Sequence, residues 1–167
     1  MARKTVIGGD VLAKNIVKFT TGFLREVNID MQKAEIILKG KIKTNISNTE
    51  FSQRDLAKMG HPYSRRNPKS IHDPEYTVHR QSGNMLSNLK SGTVKASVMS
   101  GRLDAEAFAG IDDNVDYAKY VIYGTSKMVP RDFLRGSLFE VSDKIKQILK
   151  RSLNNVTISF RGKQVRL

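Results

Sequence analysis

"DVLAKNIVKFTTGFLREVNIDMQKAEIILKGKIKTNIS", residues 10–47, is the stretch on which the fold turns. Leu12, Ile16, Phe19, Phe23, Val27, Met31, Ala34, Leu38, Ile42 and Ile46 recur at steps of three or four, which lines them up on one side of an α-helix. Lys, Arg, Glu and Asn fill much of the other side, and Asp10 suits the N-cap. A helix over 10–47 measures roughly 55 Å at 1.5 Å per residue. That exceeds the diameter of the globule it belongs to, so the helix must project, bend or pack against a neighbour. Gly22 and Gly40 each weaken it by about 1 kcal/mol relative to Ala. A kink near Thr20-Thr21-Gly22 is the competing expectation.

A second clear stripe follows near the other end. Leu134, Leu138, Val141, Ile145, Ile148, Leu149 and Leu153 keep the helical period, which predicts a helix over 132–153. Lys144, Lys146, Lys150 and Arg151 crowd its last turns, where cations suit the helix dipole. Between the two helices the pattern changes. Residues 50–59 predict a short helix ended by Gly60. Residues 60–83 hold three of the four prolines and all three histidines and show neither helical nor alternating hydrophobicity. They read as a long irregular loop or arm, partly anchored by Tyr63, Ile71, Tyr76 and Val78; segments of this length are usually functional or disordered.

Residues 84–90 predict one or two helical turns. Val94, Ala96 and Val98, then Leu103, Ala105, Ala107 and Ala109, alternate with polar residues on either side of Ser100-Gly101, which predicts a β-hairpin. Residues 114–123 predict a short helix, with Tyr117, Ala118, Val121 and Ile122 inward and Gly124 as its stop. A third strand is expected from Ser126 to Pro130. Val156, Ile158 and Phe160 alternate beyond the second long helix, so 154–167 reads as a C-terminal strand or tail, with Arg161-Gly162 as a turn. The expectation is a single α+β domain over 1–167. In it a long N-terminal helix and a C-terminal helix pack on a small antiparallel sheet, with the sheet-and-helix core over 84–153.

Composition narrows the function. The hydrophobic fraction is 39%, the aromatic fraction 7%, and Trp is absent. This is a thin apolar supply for 167 residues, and implies that a partner completes some of the apolar surface. Net charge is +13, from 29 Lys and Arg against 16 Asp and Glu; such a field favours polyanions or an acidic protein, although solubility alone accounts for it too. There is no cysteine, which excludes disulfides, zinc–thiolate sites and cysteine nucleophiles and leaves nothing pointing to an oxidising compartment. Apolar runs reach only about five residues, too short to span a bilayer, and no apolar run follows the basic residues of MARKTVIGGDVL. A soluble protein made in a cytoplasm, with no membrane partner, is expected. The charge is uneven: Asp104, Glu106, Asp112, Asp113 and Asp116 face one Arg102 within 101–116, and every other region is basic. An acidic hairpin with basic flanks can dock head-to-tail on a copy of itself and close into a ring. A solvated strand face would give the same sequence.

Chemistry is hard to find. His61, His72 and His79 lie in one loop at spacings of 11 and 7, looser than metal-binding patterns; turn-capping or partner contact is the commoner role. Asp112-Asp113 precedes a short helix, where capping and the helix dipole account for it. There is no Gly-x-Ser-x-Gly elbow and no convincing Ser-x-x-Lys, and Gly8-Gly9 is not a phosphate loop. An enzyme is not expected, nor any cofactor or metal. Tyr63, Arg65, Arg66 and Lys69, and the cations of the C-terminal helix, form basic clusters suited to a phosphate backbone or an acidic partner, without a sequence-reading motif. Two readings compete with a structural role: a nonspecific nucleic-acid-binding protein using these clusters, and a metal-dependent hydrolase built on the histidines.

The densest stretch is YAKYVIYGTSKMVPRDFLRGSL, residues 117–138. A structural elbow accounts for most of it. Tyr120 and Tyr123 beside Lys119 and Lys127 go beyond that need, since large, partly polar aromatics are favoured at interfaces. The stretch resembles the signature of a tailed-bacteriophage family of tail-completion, or head–tail joining, proteins. That signature runs Tyr-Ala-x-Tyr-Val-Glu-Phe-Gly-Thr, then Lys-Met, then Arg-Pro-Phe-Leu-Arg-Pro-Ala-Leu. Tyr117, Ala118, Tyr120, Val121, Gly124, Thr125, Lys127, Met128, Arg131, Phe133, Leu134, Arg135 and Leu138 fit it, while Ile122 replaces the Glu, and Asp132 and Gly136 replace prolines. LAKMGHPYSRR (56–66) and VHRQSGNMLSNL (78–89) also look like relatives of this group.

The resemblance implies a structural virion protein at the neck, forming a hexameric ring that completes the tail. Its partners would be its own copies, portal-side connector proteins and tail terminator or tail tube proteins, with DNA passing through a positive channel. It implies a subunit interface drawn from Tyr117, Tyr120, Tyr123, Gly124, Thr125, Lys127, Met128, Arg131, Phe133 and Leu134.

Overall fold

Two long helices lying antiparallel, with small sheets and turns gathered on them, make an α+β structure. The computed structural model describes residues 8–60, 63–66, 77–99 and 102–164. Helix α1 (Gly8–Asn45) is continuous through Gly22 and Gly40. Thr20 and Thr21 stay helical by donating their hydroxyls to the carbonyls of Ile16 and Val17, both at 2.9 Å. The helix starts two residues before Asp10, which therefore lies inside it rather than at its cap. At 38 residues it is roughly 57 Å long. It neither bends back nor stands alone, because α5 (Phe133–Gln164) lies along it. Asn45 meets Ser137 at one end, and Val27 and Asp30 share a cavity with Leu149 and Ser152 towards the other.

The short helix expected over 50–59 is present, whereas four other segments take forms that differ from the expected ones. Strand β1 (Ile46–Glu50) leaves α1 directly and pairs in parallel with β2 (Val78–Arg80), inside the stretch read as irregular. Helix α2 (Gln53–Lys58) is opened by a capping box in which Ser52 and Asp55 satisfy each other's backbone N–H groups. No strand forms over Ser126 to Pro130. Thr125 Oγ1 accepts from the N–H groups of Lys127 and Met128 at 3.2 and 3.1 Å, which turns both away from a ladder, and Pro130 has no N–H to give. A single bridge between Ser64 and Met128 remains. At the far end, α5 continues to Gln164, so the alternation of Val156, Ile158 and Phe160 lies in helix, not in a strand. A growing helix adds residues more readily than a new element nucleates, and no proline interrupts it.

Helix α3 (Asn84–Ser87) leads into the hairpin of β3 (Leu89–Met99) and β4 (Arg102–Ile111); its expected Ser100-Gly101 turn lies outside the described residues. The register slips by one residue between Val94 and Ser97, so both face outward beside Glu106 and Asp104. Ala96, within the bulge, donates its N–H to Asn28 Oδ1 of α1 at 2.7 Å, which replaces the ladder bond that a bulge removes. Phe108 lies over Gly92 on the outer face, its ring occupying the space a Cβ would need. Helix α4 (Ala118–Tyr123) is shorter than expected. The residues before it form turns, with Asp112 Oδ1 accepting from Asn114 N–H at 3.1 Å.

The core sits at one end. Leu38, Ile42 and Ile46 from α1 and β1, Val78, Met85, Val115, Ala118, and Phe133 and Val141 from α5 form one buried cluster. Phe133 and Ile42 are fully buried, whereas Ile16 and Val17 near the other end of α1 are more than half exposed.

Candidate interaction surface

The two groups of candidate residues, distant in sequence, are brought together. Residues 63–66 run beside 124–131. Val129 N–H donates to Tyr63 O at 2.9 Å, Arg65 N–H to Lys127 O at 3.1 Å, and Arg65 Nε to Met128 O at 3.1 Å. The bridge of Ser64 to Met128 lies between them. Arg65 and Arg66 remain exposed on this strip, next to exposed Lys127. Lys69 lies outside the described residues.

Behind the strip is a polar cluster. Tyr63 Oη accepts from the His79 backbone N–H at 2.6 Å and stands within hydrogen-bond distance, 3.0 Å, of His79 Nδ1. The Arg131 guanidinium lies 5.0 Å from the Tyr63 ring centre and donates to Thr77 O at 3.0 Å. Phe51 meets His79 edge-on. A cavity of about 300 Å³ opens beside this cluster, lined by Ile46, Leu56, Tyr63, His79, Tyr117 and Met128 among others. His79 is thus tied to a tyrosine and met edge-on by a phenylalanine; among the described residues no group of three or more His, Asp and Glu side chains could hold a metal. His61 and His72 lie outside the described residues.

The expected interface residues divide into two kinds. Arg131 is 3% exposed and Phe133 is buried in the core; both hold the fold. Leu134 is half-buried against the same core. Gly124 and Thr125 build the turn: Thr125 N–H donates to Met128 O at 2.9 Å, and Gly124 takes φ +72° and ψ −177°, a region essentially confined to glycine. It ends α4 as the sequence suggested, in this glycine conformation. Tyr117, Tyr120 and Tyr123 are 40%, 50% and 78% exposed. Lys119 reaches 5.3 Å from the Tyr120 ring centre. These tyrosines and Lys127 are free to meet another molecule.

The departures from the signature also find places. Ile122 packs on the core where the signature has a Glu. Asp132 caps α5, its Oδ1 accepting from Arg135 N–H at 2.9 Å. Gly136 is buried.

Electrostatically, the hairpin carries exposed Asp104 and Glu106, with Asp113 and Asp116 exposed in the turns that follow. Asp112 pairs with Lys90. That hydrogen bond, with a second from Asn114 N–H, holds the Asp112 carboxyl below its ordinary value. The sequence reading missed the Tyr63–His79–Arg131 cluster and the docking of 63–66 on the elbow. The only available signal was the shared richness of both segments in Tyr and Arg. Among the described residues no helix is long and apolar enough to cross a membrane. Comparison with protein families, curated proteins and solved structures finds no match for this chain.

Proposed function

We propose that the protein is a structural subunit of a tailed-bacteriophage virion, forming a ring at the neck that completes the tail and joins it to the head connector. The observation that carries this is the row of exposed tyrosines at the N-cap and along α4, within the stretch that resembles the tail-completion signature. Burying large aromatics in contact with water is favourable, and the chain leaves two of them on one short helix and a third at its N-cap. Exposed Glu106, Asp113 and Asp116, with Asp104 paired to Arg102, make the hairpin and the turns after it the acidic region of a basic chain, and such a split suits a head-to-tail ring. The ring acts by shape and association; portal-side and tail-side proteins are its neighbours, and DNA passes through its centre.

The test is Tyr120→Ala with Tyr123→Ala in the phage. The fold is expected to keep its stability within about 0.5 kcal/mol, as for surface changes generally, while lysates accumulate tailless heads and free tails. Normal yields of infectious particles would refute the proposal. Phe133 is unsuitable for this purpose: truncating a buried Phe costs about 3–5 kcal/mol, so its variant reports folding. Salt-dependent binding of duplex DNA by the isolated wild-type protein, lost with Arg65→Ala and Arg66→Ala, would favour the nucleic-acid reading instead.

A further inference from the structure

The outer face of the hairpin carries a patch that the packing of this chain does not use. Val94 and Glu106 are cross-strand partners, and so are Gly92 and Phe108. Glu106 and Phe108 stand two positions apart on one strand, so all four residues share a face. The opposite face is the half-buried one, where Ala105 lines a cavity with Val27 of α1. On the outer face Val94 is 52% and Phe108 47% exposed, and Glu106 is exposed beside them. Gly92 lets the Phe108 ring reach across the strands: Cζ comes within 2.9 Å of the place a Gly92 Cβ would take. Of the hairpin's cations, Lys90 pairs with Asp112 and Arg102 with Asp104, while Lys95 falls in the bulge.

An exposed aromatic ring beside a carboxylate suits a guanidinium, which stacks on the ring and donates to the oxygens. We propose that this face receives the basic strip of a second copy of the chain, with the Arg66 guanidinium on Phe108 and Glu106. In that strip Arg65 Nε donates to Met128 O, whereas Arg66 and Lys127 are exposed. Charge selects this occupant. Two hairpin faces would set Glu106 against its own copy, and two strips would set cations against cations. An uncharged apolar partner would desolvate Glu106 with nothing to donate to it, and a polyanion is repelled by it. Exposed Asp113 and Asp116, in the turns after β4, add to the long-range attraction for the strip. A contact between unlike surfaces is head-to-tail, and successive copies close into a ring where the rotation allows. The inference deepens the neck reading: it rests on the self-association assumed there and names the two surfaces that meet.

The experiment is sedimentation equilibrium of the full chain. The wild type is expected to associate with a Kd of about 10–100 µM, more weakly as salt is added. Glu106→Arg and Arg66→Glu each weaken association at least about tenfold, and the double variant recovers it to within about threefold of the wild type. Phe108→Ala and Arg66→Ala test the direction of the contact. Each alone associates weakly, and an equimolar mixture forms dimers that grow no further, because only one intact pair of surfaces remains between them. Residues 66, 106 and 108 are exposed, so unfolding midpoints stay near the wild type; the two surfaces are altered separately, so either set of variants decides the matter alone. Association untouched by Glu106→Arg and Phe108→Ala but lost with Tyr120→Ala overturns this assignment and leaves the ring standing. No recovery in the double variant, or a chain monomeric up to roughly 0.5 mM, overturns it too. Charge rescue in solution, alongside normal infectious particles from the tyrosine variant of the phage, would keep this contact and refute the neck reading.

Discussion

At Gly124 the chain reverses between α4 and the entry to α5, and space there is as restricted as the backbone angles. A Cβ would lie 2.7 Å from Met128 O and 2.8 Å from Pro130 N, and both are backbone atoms that cannot swing aside. Gly124→Ala is therefore expected to lose about 1–3 kcal/mol, the usual cost of a strained conformation, read from urea unfolding; an unchanged midpoint would contradict this geometry. Gly92 is the contrasting case, since the atoms in its way belong to the exposed ring of Phe108, which can move. Arg131 shows the limit of reading residues from type alone. An arginine beside exposed tyrosines suggests a contact surface, yet it is buried under Tyr63 and bonded to Thr77 O. That role depends on residues 54 positions away, beyond the reach of any local pattern.

Among the elements, the long helices were legible because their apolar residues repeat over many turns, and each repeat reinforces the last. The hairpin was legible in place, but its bulge was not: Val94, Ala96 and Val98 alternate in sequence while the register slip puts Val94 outside. β1 and β2 left no pattern, being five and three residues long and joined across a long gap. The 126–130 segment misled because its strand-like sequence carries its own rival, the Thr125 hydroxyl, for the amides a ladder needs. The start of α5 offers a direct check. Asp132→Ala removes the side-chain cap on Arg135 N–H and is expected to cost about 1 kcal/mol, with Asp132→Asn close to wild type. Equal losses in the two would mean that the cap is not the source.

For the molecule as a whole, α1 and α5 are joined at the core end by polar bonds as well as apolar packing. Asn45 Nδ2 donates to Ser137 Oγ at 2.9 Å and to Glu140 Oε2 at 2.8 Å, and Lys41 pairs with Glu140 Oε1 at 3.1 Å. The Asn45 hydrogen bond, with Lys41 assisting, lowers the Glu140 carboxyl from its ordinary value of 4.5. A lowered folded-state value means that this stabilisation is fully present above pH 4.5 and fades as the pH falls through the folded value. Asp112 adds in the same direction below 3.8. Urea midpoints of the wild type should thus drop on acidification below the unfolded values, and Glu140→Gln should shallow that drop; an equally steep acid limb in the variant would count against the interhelix pair.

The bond from Asn45 to Ser137 spans 92 positions, and this has a consequence for the order of events on the ribosome. Helix α1 emerges early with its apolar stripe uncovered, and Phe133, the plug of the core, is made last among the core's larger side chains. At about 5–20 residues per second, the nascent helix waits roughly 5–20 s for its cover. Chains stalled before residue 133 are expected to remain open to protease, and full-length chains to become resistant only once α5 is released.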